Sequence, residues 1–144
     1  MMLGSLFATA QEKPAVTPRF ETRDLVVDSG KASLAAWQVE LKYDPAIVAI
    51  VGIEGGTAPF GPDKPPFYDP KGMTGGRIIL ANLTTSAKLK SGPQTVARLH
   101  LRIQGEGAPK LAAKVVTAGT AGGTKIPATA SVNKAEAKSD KSDK

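Results

Sequence analysis

The sequence predicts an all-β fold, a two-sheet antiparallel β-sandwich, and three observations carry that prediction. Short apolar runs recur along the chain at intervals too brief for packed helices. The 15 glycines and 11 prolines fall largely between those runs, as turn punctuation. The clearest run alternates strictly: Trp37, Val39, Leu41 and Tyr43 share one side, while Gln38, Glu40 and Lys42 share the other. That period of two is the mark of a strand with one dry and one wet face. A chain of 144 residues makes one domain with a real core rather than two.

The elements follow in order. Residues 1–10, "MMLGSLFATA", end in Ala8-Thr9-Ala10 and resemble the end of a secretory signal peptide, without its basic start. "QEKPAVTP", 11–18, is an extended linker. The sandwich is placed at 19–133. "FETRDLVV" is its first strand, closed by the tight-turn residues Asp28-Ser29-Gly30. The Trp37–Tyr43 strand stops at Asp44-Pro45, where proline lacks the N–H a ladder needs and Asp44 can close an Asx turn. "AIVAIVGIEGG" resumes as a strand.

Thr57 to Gly76 is a twenty-residue irregular stretch with five prolines, long enough to suggest function. Its Phe60, Phe67 and Tyr68 are candidates to pin it to a sheet. "RIILANLTT" has apolar residues on both faces, which predicts a central or partly covered strand. "TVARLHLRIQG" alternates again, with Ala97, Leu99, Leu101 and Ile103 opposite Arg98, His100, Arg102 and Gln104. "LAAKVVTAG" and "KIPATASV" complete seven or eight strands, the last at an edge because of Pro127. The tail 134–144, "KAEAKSDKSDK", has no apolar periodicity and is read as solvated and disordered.

Composition excludes several functions. No cysteine means no disulfide framework and no thiolate metal site. The net charge of +6 is scattered, without the basic run interleaved with aromatics that nucleic-acid binding favours. No segment approaches the ~20 apolar residues of a membrane span. His100 is the only histidine, and between Arg98 and Arg102 it reads as a surface residue, not a catalytic base. Asp63 and Asp69 share one loop, but no spacing marks them as a glycosidase pair or a calcium loop. No enzyme activity, cofactor or metal is predicted.

The order of residues carries a resemblance. "LAAWQVELKYDPAIVAIVGIEGG" is similar to the signature of cohesin domains, in which an alternating strand ends in Tyr-Asp-Pro before an aliphatic strand and a glycine. "GGRIILANLTT", "TVARLHLRIQGEG" and "GGTKIPATASV" follow in the family's order, so the likeness spans most of Leu25 to Val132. The resemblance implies a jelly-roll-like topology and a non-catalytic role. That role is docking a dockerin-like module or envelope protein, or holding polysaccharide, in a secreted or extracytoplasmic setting such as the periplasm or cell surface. Where dockerin-binding cohesins typically carry Asn and Asp, this chain has Ala36 and Gln38. Those departures argue against dockerin recognition of the usual polar kind.

The candidate partner-binding residues are the outward ones: Gln38 and Glu40 on one strand, and Arg98, His100 and Arg102 on another. The latter three span roughly 13–14 Å and would suit an acidic protein or anionic polysaccharide. The plainer alternative is a solvated face, salt-bridged to Glu40 on a neighbouring strand. Trp37 is phased with the core. Phe67 and Tyr68, in the long loop, are the candidates for the alternative function, carbohydrate binding.

Overall fold

The structure is a computed structural model and describes residues 17–135. The expected leader (1–10) and most of the linker and charged tail lie outside those residues. Among the described residues seven strands form: β1 (Arg19–Asp28), β2 (Ala36–Tyr43), β3 (Val48–Gly55), β4 (Arg77–Leu83), β5 (Pro93–Ile103), β6 (Leu111–Gly119) and β7 (Thr129–Lys134). One sheet has the order β3-β5-β1-β7, the other β4-β2-β6, and every pairing is antiparallel. The chain changes sheet at every connection, so no strand pairs with its neighbour in sequence.

The alternation seen in the sequence sets which side chains enter the interior. From β2 come Trp37, Val39, Leu41 and Tyr43; from β5 come Ala97, Leu99, Leu101 and Ile103. They meet Leu25 and Val27 of β1 and Ile78 and Leu80 of β4, all buried. Burying such residues fully stabilises by roughly 1.5–3 kcal/mol each, which sets the sandwich as the dominant stabilising contact. The corners behave as their residues dictate. The Asp44 carboxylate accepts from the Ala46 N–H at 2.9 Å, forming the Asx turn. Asp28 accepts from Gly30, whose φ of 66° suits glycine.

The long stretch 57–76 is held along its length. Phe60 is fully buried, edge-on to Trp37 with ring centroids 6.3 Å apart. Asn82 Nδ2 donates to the Lys64 carbonyl at 2.9 Å. Phe67 and Ala81 exchange both backbone hydrogen bonds, at 2.7 and 3.1 Å, extending the small sheet by one bridge beyond β4. A 3-10 turn, Pro70–Met73, is capped by Asp69 and receives the Tyr43 hydroxyl at the Gly72 carbonyl. Asp69 is thus engaged as a cap.

Of the two placements expected for "RIILANLTT", central or partly covered, the structure has the second: β2 is the central strand of its sheet, and β4 lies at the edge, covered at the Phe67 bridge. Its second apolar side, Ile79, Ala81 and Leu83, therefore faces outward. β7 is an edge strand, as Pro127 predicted, and Ile126, Ala128, Ala130 and Val132 pack against the core.

Candidate functional site

The outer face of the three-stranded sheet is built in rows by its register. Ala36 lies between Leu83 and Gly119, Gln38 between Ala81 and Thr117, Glu40 between Ile79 and Lys114, and Lys42 between Arg77 and Ala112. A bulge at Gln38/Val39 makes Val116 an extra residue, half exposed at 50%. The rows near Ala36 are apolar and those near Lys42 are charged. The apolar end holds a shallow depression of about 400 Å³ lined by Ala36, Gln38, Phe67, Ala81 and Leu83, with Lys125 among its bounding residues. Phe67 is 71% exposed and Leu83 56%. These two open side chains make the apolar end a candidate docking face.

At the charged end Arg77 pairs with Glu40. That bond holds the Glu40 carboxyl below its ordinary value of 4.5, with smaller help from Lys42 and Lys114, so it is ionised at neutral pH.

Of the residues singled out from the sequence, Gln38 and Glu40 belong to this face. Arg98, His100 and Arg102 lie on the outer face of the other sheet, on the far side of the sandwich, so the five do not form one surface. The expected salt bridge from that row to Glu40 is replaced by others. Arg98 Nε donates to Asp24 Oδ1 at 2.9 Å, and His100 Nε2 pairs with Glu54. The physical reason is topological: β2 and β5 belong to different sheets, whose wet faces point in opposite directions. Arg102 makes no ion pair among the described residues and stands opposite Phe20, which is 68% exposed.

The Asp24–Arg98 pair is structural. Asp24 is buried, and its bond with Arg98 pushes the guanidinium's pKa above its usual value. Asp24→Ala is expected to cost about 1–2 kcal/mol, by leaving Arg98 without its partner. Urea unfolding measures it; a loss within ~0.3 kcal/mol would show the pair to be inert.

Thr22, His100 and Glu54 fall in line, with Thr22 Oγ1 3.4 Å from His100 Nδ1. The order is that of a hydroxyl, base and carboxylate, with the His100 and Glu54 side chains open to solvent on the sheet's outer face. His100 of β5 stands opposite Thr22 of β1 and Gly52 of β3, on the outer face of the four-stranded sheet.

Phe67 and Tyr68 point different ways. Phe67 projects beside the depression, while Tyr68 is half buried and packs on the core. Phe67 is the more open of the two. Leu83, Ala81, Val116, Lys42 and Lys114 were not singled out from the sequence. The available signal was the apolar second side of "RIILANL", which reads equally well as a covered strand.

No family model matches the chain, and no curated protein matches it. Solved structures do. The sixth cohesin of scaffoldin B from Acetivibrio cellulolyticus, solved in complex with a dockerin, has a TM-score of 0.55 at 16% identity, covering 85% of this chain and 100% of that one. A type II cohesin from the cellulosome of the same organism has a TM-score of 0.55 at 12% identity, covering 81% and 87%. A non-cellulosomal cohesin from Archaeoglobus fulgidus has a TM-score of 0.51 at 9% identity, covering 90% and 89%. The chain has a cohesin-like fold. At these identities the likeness is one of fold.

Proposed function

We propose that this chain is a non-catalytic attachment module that docks a partner protein on the outer face of the β4-β2-β6 sheet. The observation that carries the reading is the open apolar depression bordered by Phe67 and Leu83, where the edge of the sheet meets a stretch tied to it by the Phe67–Ala81 bridge. A pre-formed face costs little ordering entropy on association, which suits a docking role. The cohesin-like fold supports a protein module, with a dockerin-like one as the first partner to test. The reading places the module outside the cytoplasm, in keeping with the Ala8-Thr9-Ala10 pattern. Among the described residues no helix is long and apolar enough to cross a membrane.

Calorimetric titration against a panel of dockerin modules tests the reading. Leu83→Asp puts a charge on the apolar floor and is expected to weaken binding by about 100-fold, the loss of a central contact. Because Leu83 is 56% exposed, the substitution should leave folding intact. Binding that Leu83→Asp leaves unchanged would move the docking site elsewhere.

One observation favours carbohydrate as a second reading: a single exposed aromatic ring, Phe67, standing beside the depression. Retention on polysaccharide that Phe67→Ala abolishes and Tyr68→Ala preserves would support it.

A further inference from the structure

The docking face carries charge as well as shape. Strands β2, β4 and β6 contain one acid, Glu40, and three cations, Lys42, Arg77 and Lys114. The register gathers all four at one end: Glu40 stands opposite Lys114, and Lys42 opposite Arg77. Arg77 pairs with Glu40 and so satisfies the sole carboxylate. Lys42 and Lys114 are exposed and make no ion pair among the described residues. Lys125, at the depression, is likewise unpaired there. The three strands therefore carry 3 − 1 = +2; of the adjoining loops, Lys125 borders the apolar depression, and Asp69 and Lys71, of opposite sign, border Arg77 and Ile79. On the opposite sheet Arg98 and His100 each have a carboxylate of their own, and Arg102 alone of that row makes no ion pair among the described residues.

Given a docking role for this face, we propose that the partner is an acidic protein surface. An apolar side chain of the partner fills the depression between Ala36, Phe67 and Leu83. Carboxylates of the partner meet Lys114, in the Glu40 row about 13 Å further along β2, and Lys42, about 20 Å along, from the rise of about 3.3 Å per residue. The apolar anchor supplies affinity, while the ammonium groups supply approach rate, orientation and rejection of basic competitors. An anionic polysaccharide satisfies the lysines but not the other end. Gln38, Thr117, Thr120 and Lys125 around the depression could hydrogen-bond a hydroxyl-rich chain, but such a chain would leave the apolar surface of Ala36, Ala81, Leu83 and Phe67 unmatched. A protein surface with an apolar residue flanked by acids satisfies both ends.

The test uses a display library of small randomised protein domains, unbiased in charge. It is selected on the full chain and counter-selected on Leu83→Asp; Leu83→Ser serves should the aspartate variant melt early. Clones that require Leu83 are expected to carry acidic binding surfaces. They should lose at least about tenfold in affinity on Lys42→Glu with Lys114→Glu, and weaken as salt rises from about 50 to about 500 mM. Arg102→Glu, on the far face, should leave them unchanged. Leu83-dependent clones that are neutral or basic and indifferent to the lysine reversals would overturn the acidic partner while leaving the docking role standing. A selection yielding no clone that senses Leu83 would remove the docking role itself. Retention on a polyuronate matrix that needs the lysines and ignores Leu83→Asp would replace the protein partner with an anionic polysaccharide.

Discussion

Trp37→Ala is expected to destabilise the domain by about 3–5 kcal/mol, the range for emptying a large buried aromatic site. Against a total of about 5–15 kcal/mol for a domain, that is a third or more of its stability. The indole is only 2% exposed and lies on the inner side of β2, the small sheet's central strand. It also receives Phe60, the one fully buried ring of the long 57–76 stretch. The substitution therefore opens a cavity in the sandwich and removes the surface on which that stretch is seated. Among the described protein groups the indole Nε1–H has no acceptor, so its contribution is packing rather than hydrogen bonding. Trp37→Phe should accordingly recover much of the loss. Urea unfolding of the two variants, with Phe20→Ala as an exposed control, measures the difference. A loss below ~1 kcal/mol for Trp37→Ala would place the indole outside the core.

Gly55→Ala is expected to lose about 3 kcal/mol or more, although it adds a single methyl group. An added Cβ would lie 1.9 Å from the Gly61 carbonyl oxygen and 2.8 Å from that of Lys64. Both are backbone atoms, so no side-chain rotation relieves the clash. The end of β3 and the segment 61–64 must separate. Lys64 holds Asn82 of β4 through its carbonyl, and Phe67 pairs with Ala81 three residues on. The displacement thus reaches the docking face, and partner binding should weaken together with stability. Gly107→Ala, with nothing within 4 Å of its added Cβ, is the matched control and should be near neutral. Thermal unfolding of both variants measures the effect; equal melting temperatures would show that the close approach at Gly55 is not maintained.

Much of the fold was legible because β-structure writes its burial into the sequence with a period of two. Trp37 to Tyr43 and Ala97 to Ile103 face as their alternation requires, and Asp44-Pro45 turns as its chemistry requires. The "RIILANL" strand was ambiguous for a physical reason. Apolar residues on both sides fit a covered strand and an edge strand with an open docking face equally well, and only its neighbours distinguish them. The outward residues were harder still. Alternation identifies Gln38 and Glu40, and likewise Arg98, His100 and Arg102, as wet, but wetness does not say which side of the molecule a residue occupies.

By itself, then, the chain order determined the strands, their inner sides, the turns and the absence of any thiol or paired-imidazole chemistry. These are local properties, each set by a few neighbouring residues. The tertiary structure decided strand partnership and the composition of the two outer faces. Because the chain passes to the opposite sheet at every connection, side-by-side strands are distant in sequence. Phe67, Leu83, Gln38 and Lys114 become one surface only when β4 and β6 close on the two edges of β2.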